Sequence, residues 1–499
     1  MLSFLRTRTS YSFNLPSRPE LRLRSPDLEE KDGASVVKSG HTVARTKVLP
    51  NTSSDLRGKI VFFKQNTQVL SQCESAFGDC YRLLVGDKVP KVRAVYDDSR
   101  SEVVGLCSEA IPGFVDIRKL QSTVEWMRAV NWKNLNPREK EAFGTSTMEF
   151  SDASGNVIKV CDLYEVAKKH EALLDLDTGN IRFATPSFKQ GFAEILVASY
   201  LFEEDDLHKH NFGVDADGTP RRIDLDMSFF GSVYVETRGE RSVRYLDSSP
   251  STWNISIQDI VDFPVLKSTH PWFWPTVCKA TVLTAASGDK IFTQQDVELF
   301  SSFAKDETFV SAKYYSFLKA LLIPERYFEE SFTKHLFFAE NAVLKRNLVL
   351  HLRERQAQLL KLLLTIPEFG KCLTEDNVER IIAELQLERP DDVKQEILAR
   401  FASIKSMVNS RIELIGRVTN DGLREYLLKT APGFSAPITI EKIAKINELL
   451  SSVPTPKIYE VRQEVLRLGY DAPPMEHFLK MVRQPSERTG NSPPLVTSL

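Results

Sequence analysis

Short runs of β-branched and aromatic residues, separated by turn-forming residues, dominate residues 42–111. HTVARTKVL and KIVFFKQ lie on either side of the polar segment PNTSSDLRG, a pattern that predicts a β-hairpin. Between Leu70 and Leu84 the apolar positions recur at helical spacing, and Gly86 follows them as a helix stop. KVRAVY and EVVGLCSEAI then predict two more strands, with DDSR as the turn between them. The expected order is strand, strand, helix, strand, strand.

After residue 114 the pattern becomes mainly helical. Amphipathic segments recur through residue 201, and again between residues 294 and 364. We therefore expect an α+β fold in which a small β-sheet lobe precedes a large helical lobe and all-helical C-terminal modules. Proline, glycine and composition changes predict a flexible N-terminal extension 1–41, a sheet lobe 42–114, a helical lobe 115–366, helical modules 367–430 and 431–484, and a disordered tail 485–499.

Composition narrows the class of protein without assigning a reaction. The 65 basic and 67 acidic residues nearly cancel, so no global field favours nucleic acid as a partner. The six cysteines include no C-x-x-C pair, which favours reduced thiols in a reducing compartment over disulfides or zinc. No run of 18 uncharged apolar residues is present, so we expect no membrane-spanning helix.

The segment DDLHKHNFGVDADGTPRRIDLDMSFF carries the chemical signal. Asp206 and Asn211 lie five apart in a polar stretch, and Asp224 follows thirteen residues later, after a strand, turn, strand pattern whose turn contains Gly218. Phosphoryl transfer from ATP needs a carboxylate near the attacking hydroxyl and two oxygen ligands that fix Mg²⁺ across the phosphates. We expect Asp206 to orient the nucleophile or accept its proton, and Asn211 and Asp224 to bind the metal.

D-L-H-K-H-N followed by I-D-L-D resembles the catalytic and metal-binding loops of the kinase superfamily, in which D-x-x-x-x-N precedes the D of D-F-G by the same interval. The closer resemblance is to the phosphoinositide-kinase-like branch, whose loop reads D-R-H-x-x-N, with His208 at the corresponding place. The chain also resembles the atypical effector kinases that Legionella-type bacteria secrete into host cells, one of which needs inositol hexakisphosphate. The resemblance covers about residues 42–340. It implies a two-lobed protein-kinase-like core, ATP and Mg²⁺ as cofactors, secretion into a host cell, and inositol hexakisphosphate as a candidate activator.

The small lobe offers the other residues that the resemblance requires. Lys64 on the strand IVFFKQ corresponds to the lysine that contacts the α and β phosphates, and Glu74 on the next helix to the glutamate that holds it. Asp79 and Glu109 are rival partners for Lys64. Glu109 also lies in the segment 108–114, which the resemblance makes the hinge facing the adenine, so we count it among the ATP-binding residues.

Three departures separate the chain from the family pattern. No G-x-G-x-x-G precedes Lys64, and the candidate phosphate cover is PNTSSDLRG, with Ser53, Ser54 and Gly58. Asp226 stands where D-F-G has glycine, which either adds a metal ligand or stiffens the segment. No A-P-E follows, which argues against regulation by activation-loop phosphorylation.

Other local features have two interpretations. His208 and His210 are spaced like zinc ligands, but no further ligand cluster accompanies them. Arg221 and Arg222 form either a small anion site with Lys209 or, more simply, a solvated strand edge. The basic residues of the C-terminal helices predict either a module that docks on phosphoinositide-containing membranes or a plain interaction domain.

These observations predict an ATP-dependent kinase that phosphorylates a protein Ser or Thr hydroxyl. The alternative is a phosphoinositide kinase, because the catalytic loop resembles that of lipid kinases, although no cationic headgroup loop is recognisable after Phe230. A second alternative is a pseudokinase scaffold that docks on membranes. The presence of all five expected residues argues against the scaffold.

Overall fold

The structure is a computed structural model of the 499-residue chain. It describes residues 22–29, 32–36, 42–99, 101–153, 155, 157–182, 185–204, 211–226, 228–229, 257–262, 264, 298, 301–388, 393–430 and 437–483. These residues form a small sheet lobe, a large helical lobe and a group of C-terminal helices. The expected α+β fold class, with a small β-sheet lobe ahead of a large helical lobe and C-terminal helices, is confirmed.

The small lobe is a mixed sheet with one long helix packed on it. Its elements are β1 (Leu23–Arg24), β2 (Asp32–Val36), β3 (Thr42–Lys47), β4 (Ile60–Lys64), α1 (Gln68–Val85), β5 (Val92–Tyr96) and β6 (Val103–Glu109). The strand order is β1-β5-β6-β4-β3-β2, and only the β1–β5 pair is parallel. Since α1 packs against β5 and β6, its buried face lies next to β6, the strand that pairs with β4.

The sheet begins earlier than the sequence pattern indicates. β1 pairs with β5 and β2 pairs with β3, and Leu23 is buried in a cluster with Val61 and Val95. The segment 1–41, predicted as a flexible extension, thus contains two paired strands, while its residues 1–21, 30–31 and 37–41 lie outside the described residues. The backbone hydrogen bonds of the two strands go to partners distant in the chain, and the local composition, rich in polar residues and proline, does not reveal such pairing.

The large lobe surrounds a second, three-stranded sheet. Its elements are β7 (Val115–Asp116), α2 (Ile117–Ala129), α3 (Pro137–Ala142), β8 (Glu149–Ser151), β9 (Val157–Lys159), α4 (Val160–His170), β10 (Leu174–Asp175), β11 (Asn180–Ile181), α5 (Pro186–Leu201), β12 (Phe212–Val214), β13 (Pro220–Arg222), α6 (Ile257–Asp262), α7 (Glu307–Leu322), α8 (Glu325–His335) and α9 (Ala342–Leu363). β12 lies between β13 and β7. The largely buried helix α5 packs along α7, so the chain that leaves α5 towards β12 starts from the interior of the lobe.

The C-terminal helices belong to two hydrophobic cores. They are α10 (Pro367–Lys371), α11 (Glu375–Glu388), α12 (Lys394–Gly416), α13 (Asp421–Lys429), α14 (Ile440–Leu450), α15 (Ile458–Arg467) and α16 (Met475–Arg483). Apolar residues up to Val408 join the core of the large lobe, whereas those from Ile415 to Val482 form a core of their own. The predicted boundary at residue 367 thus does not separate two cores, because the change falls within α12. Among the described helices, none combines the length and the hydropathy that crossing a membrane requires.

A substitution of Gly213 in β12 can test how closely this strand packs against β7. A Cβ atom at this position would lie 2.2 Å from the carbonyl oxygen of Val115 in β7. We expect Gly213→Ala to lower the free energy of unfolding by about 1–3 kcal/mol, because the strands would have to separate. Gly416→Ala is the control, since a Cβ there meets no atom within 4 Å. Urea denaturation followed by tryptophan fluorescence measures both, and an unchanged midpoint for Gly213→Ala would contradict the packing described.

Candidate active site

Lys64 lies between three carboxylates that come from separate parts of the chain. Its ammonium donates to Asp224 Oδ1 at 2.9 Å and to Asp226 Oδ2 at 2.8 Å, and it lies 3.6 Å from Glu74 Oε2. The lysine ends β4, the glutamate belongs to α1, and the two aspartates follow β13. The structure thus brings together Lys64, Glu74 and Asp224, which the sequence analysis assigned to one site.

Burial makes these charges interact strongly. Only 9% of the Lys64 side chain and 3% of the Glu74 side chain are exposed. Burial by itself would lower the pKa of Lys64, but the attraction of Glu74, Asp224 and Asp226 outweighs it and raises that pKa above the ordinary value. Burial also raises the pKa of Glu74, although Lys64 and the backbone amide of Leu225 favour its charged form. Lys64 is therefore a cation at neutral pH.

The hairpin of β12 and β13 positions Asn211 and Asp224. The amide of Ile223 donates to the carbonyl of Asn211 at 2.9 Å, directly beyond the last paired residues of the hairpin. Gly218 in the turn has a φ of +77°, which glycine adopts without steric cost. The strand, turn, strand pattern predicted for this segment is confirmed, and it places the buried Asn211 opposite the residue that precedes Asp224.

The backbone at Asp224 turns both aspartates towards Lys64. Asp224 has a φ of +60°, a left-handed conformation that aspartate tolerates better than most residues. Leu225 is fully buried in the core of the large lobe, whereas the carboxylates on either side of it contact Lys64. Residues in such strained conformations concentrate at functional sites. The strain at Asp224 therefore coincides with the residue expected to bind a metal.

A buried arginine braces this segment. Arg222 and Glu204 are both fully buried and form an ion pair, with Nη2 3.4 Å from Oε1. The same guanidinium donates to the carbonyls of Asn211, at 3.0 Å, and Ile223, and the hydroxyl of Ser228 donates to Glu204 Oε2 at 2.7 Å. Arg222 thus joins the residues that border the segment 205–210. The interpretation of Arg222 as part of a solvated strand edge or an anion site is wrong, because its side chain is fully buried and paired with Glu204.

Helix α9 supports the same region from another side. The ring of Phe229 stacks on His351, with centroids 4.5 Å apart. His351 Nε2 and Arg355 Nη1 each lie 3.2 Å from Glu203 Oε1. Burial opposes charge on Glu203, but the hydrogen bond from His351 and the charge of Arg355 lower its pKa below the ordinary value. α9 therefore contacts residues that precede and follow the expected catalytic segment.

Asp206, the predicted catalytic base, lies outside the described residues. His208, Lys209 and His210 lie outside them as well. The roles assigned to these four residues stay predictions. Their described neighbours Glu204 and Asn211 are held by the arginine brace.

The two rival partners of Lys64 are engaged elsewhere. Glu109 Oε1 lies 3.2 Å from Lys59 Nζ, and its place in the adenine hinge stays a prediction. Asp79 accepts a hydrogen bond from Arg93 at 2.9 Å and lies 2.9 Å from His335 Nε2. Of the three candidate glutamate or aspartate partners, the described contacts of Lys64 select Glu74.

The predicted phosphate cover is tied to the sheet at its middle. Asp55 forms an ion pair with Arg93, with Oδ2 2.6 Å from Nη2. The buried hydroxyl of Ser54 accepts a hydrogen bond from the amide of Leu56 at 3.2 Å. These contacts fix the conformation of the loop, while its function as a phosphate cover stays a prediction.

The acidic residues around Lys64 fit a divalent metal ion. Glu74, Asp224 and Asp226 each offer an oxygen, and these oxygens lie within 4.8 Å of one another. Glu74 Oε2 is buried and has no hydrogen-bond partner among the described residues. Mg²⁺ is bound through oxygen ligands of this kind. The site therefore supplies both the donor type and an unsatisfied buried oxygen that a cation would complement.

Comparisons with known proteins add little to this geometry. No protein-family model matches the chain, and no curated protein matches it. Among solved structures, it is similar to the crystal structure of the proinflammatory kinase CtkA of Helicobacter pylori. The identity is 14% and the TM-score 0.31, over 66% of this chain and 92% of that chain. A likeness of this degree carries no argument about the reaction, so the functional inference depends on the contacts around Lys64.

The Arg222–Glu204 pair provides a stability test of the brace. We expect Arg222→Met to lower the free energy of unfolding by about 3–5 kcal/mol, because it leaves the Glu204 carboxylate buried without its counterion. Adding Glu204→Gln should recover part of this loss, since the amide carries no charge. Urea denaturation of the single and double variants measures both effects. A single variant as stable as the original chain would contradict the buried ion pair.

His335, which lies beside Asp79, should make the free energy of unfolding fall at acid pH. Burial lowers the pKa of His335 to about 4 from the ordinary 6.5. Since the unfolded chain then binds the proton first, stability present above pH 6.5 is lost as the pH falls towards 4. Between pH 7.5 and 4.5 this loss is roughly 2–3 kcal/mol. His335→Gln should show a shallower pH dependence in denaturation experiments, and identical slopes would contradict the neutral buried histidine.

Proposed function

We propose that this chain is an ATP-dependent kinase whose catalytic centre contains Lys64, Glu74 and Asp224. The observation that carries the proposal is the convergence of a strand lysine, a helix glutamate and an aspartate that lies 160 residues from the lysine in the chain. They follow the chain order that the kinase resemblance implies. Stability alone does not account for the set, because apolar residues of similar volume often replace buried ion pairs without loss.

In the proposed reaction, ATP supplies the γ-phosphoryl group and Mg²⁺ offsets the charge of its phosphates. Lys64 provides a positive charge next to the phosphates, and Glu74 keeps the lysine oriented. Asn211 and Asp224 hold the metal. Asp206 takes the proton of the acceptor hydroxyl as the hydroxyl oxygen bonds to phosphorus and the bond from phosphorus to the ADP oxygen breaks. Charges that are fixed before the reaction stabilise the transition state without further reorganisation.

We favour a protein Ser or Thr hydroxyl as the acceptor. No cationic loop suited to an inositol headgroup is recognisable in the sequence after Phe230, and this weakens the lipid-kinase alternative. Secretion into a host cell and activation by inositol hexakisphosphate come from the family resemblance and remain parts of the proposal. A polyphosphate activator would need several converging cations.

Membrane docking by the C-terminal helices receives little support from their charge arrangement. Many of their cations form ion pairs with glutamates one turn away, namely Lys429–Glu425, Lys445–Glu448, Lys457–Glu460, Arg467–Glu464 and Lys480–Glu476. Anionic lipid surfaces attract clusters of unpaired basic residues. Docking on phosphoinositide membranes therefore stays a prediction for vesicle binding to test.

Loss of the charge of Lys64 or of Asp224 should strongly slow phosphoryl transfer. We expect Lys64→Met and Asp224→Asn each to lower kcat at least about 100-fold, because each removes a charge that acts on the transition state. Lys133→Met and Asp217→Asn are matched controls on the exposed surface, and we expect no change from them. Transfer of label from ATP to protein measures these effects.

The same assay separates the alternatives for the acceptor. It is run with protein substrates and with phosphoinositide vesicles, each with and without inositol hexakisphosphate. Label in protein supports the proposal, whereas label in vesicle lipid replaces it with the lipid-kinase alternative. Absence of transfer together with absence of Mg²⁺-dependent ATP binding would leave the scaffold.

A further inference from the structure

Asp226 is the second aspartate that contacts Lys64, and the kinase pattern does not require it. D-F-G has glycine at this position, and a glycine has no side-chain ligand atom. Here Asp226 Oδ2 lies 2.8 Å from the Lys64 ammonium, as close as Asp224 Oδ1, the expected metal ligand, at 2.9 Å. Because Leu225 between them enters the core, both carboxylates reach the same side of the segment.

The charges joined by these contacts do not balance. Glu74, Asp224 and Asp226 provide three carboxylates around the single ammonium of Lys64, a net charge of −2 for the four groups when all are ionised. Mutual repulsion among these carboxylates is costly because the side chains of Glu74 and Asp226 are largely removed from water. A divalent cation would bring the sum of the charges to zero.

One oxygen of the cluster is left unsatisfied. Glu74 Oε2 is buried without a hydrogen-bond partner among the described residues, and the nearest charged atom recorded for it is Lys64 Nζ at 3.6 Å. Buried polar atoms normally have partners, so an unpartnered one calls for a ligand or another specific explanation. Glu74, Asp224 and Asp226 each offer an oxygen within 4.8 Å of the other two. A cation among them would either bind Glu74 itself or displace Lys64 from the aspartates, which would leave Lys64 free to approach Glu74.

We propose that Asp226 is a metal ligand together with Asp224, and that Lys64 acts as the internal counterion of this pair until a divalent metal ion takes its place. The inference rests on the proposed function, since it concerns the metal of the same site. When the metal binds, Lys64 gives up its two aspartates, keeps Glu74 and becomes able to contact phosphate oxygens. Lysine and metal therefore compete for the same two carboxylates.

This competition predicts opposite effects for two substitutions. Asp226→Asn removes a charged ligand and should weaken metal binding about 10-fold or more. Lys64→Met removes the competing ammonium and should strengthen metal binding in the absence of nucleotide. A purely structural role for Asp226 predicts neither the first effect nor the contrast between the two.

The experiment is a titration of the full chain with Mn²⁺ alone, in which the electron paramagnetic resonance signal of free aqueous Mn²⁺ gives the bound fraction. Wild type, Asp226→Asn, Lys64→Met and the control Asp217→Asn are compared, and circular dichroism checks that each variant is folded. Asp217 lies exposed in the hairpin turn, so its substitution removes the same charge nearby without touching the cluster. Lys64→Met keeps the test decisive if Asp226→Asn does not fold.

The expected result is weaker Mn²⁺ binding by Asp226→Asn, tighter binding by Lys64→Met and unchanged binding by Asp217→Asn. Equal affinities for wild type and Asp226→Asn would overturn the inference, as would weaker binding by Lys64→Met or no binding by the wild type. A separate measurement of ATP binding with Mg²⁺ distinguishes the two failures. If the nucleotide binds but wild type and Asp226→Asn have the same affinity for Mn²⁺, only the present inference fails. If no nucleotide binds, the proposed function fails.

Discussion

The interaction on which this structure depends most is the contact of one buried ammonium with three carboxylates. Lys64 brings together the sheet, the helix α1 and the segment after β13, and each of them contributes a charge to the same small volume. Charges removed from water are stable only when partners surround them. The position of Lys64 therefore constrains the two lobes relative to each other, and the candidate chemistry is located where that constraint is strongest.

A second set of buried contacts holds the large-lobe side of the site. Arg222 connects the end of α5 to the hairpin through Glu204 and the carbonyl of Asn211. His351 of α9 contacts Glu203, which follows α5, and Phe229, which follows the hairpin. Helices and strands of the scaffold, rather than long loops, thus support the candidate site residues that the structure describes, and such support reduces the cost of reorganisation during a reaction.

The same polar groups limit what the protein tolerates. A buried ion pair contributes little net stability when both partners are present, but the loss of one partner leaves an uncompensated charge. Glu204 and Arg222 are in this situation, and so is Glu74 with Lys64. Substitutions in this region should therefore act on folding and on chemistry together, and paired variants are needed to separate the two effects.

Local sequence patterns predicted those parts of the fold and site that depend on interactions between residues close in the chain. Alternation and turn residues located β3 to β6 and the hairpin, and helical spacing located α1 with Glu74. The early strands β1 and β2 escaped notice because their hydrogen bonds go to distant partners. The burial of Arg222 could not be predicted from the sequence either. An arginine is buried only where a charged partner compensates it, and the partner Glu204 is brought to it by the fold. Asp226 was noticed as a departure, but its contact with Lys64 became visible only when the strand and the hairpin were placed together.

The most direct test of the central claim is the structure of the full chain with Mg²⁺ and a non-hydrolysable ATP analogue. The account predicts a metal ion about 2.1 Å from carboxylate oxygens of Asp224 and Asp226. It also predicts that the Lys64 ammonium has left both aspartates for phosphate oxygens while it keeps its contact with Glu74. A nucleotide bound away from Lys64, or a metal bound without Asp224, would contradict the account.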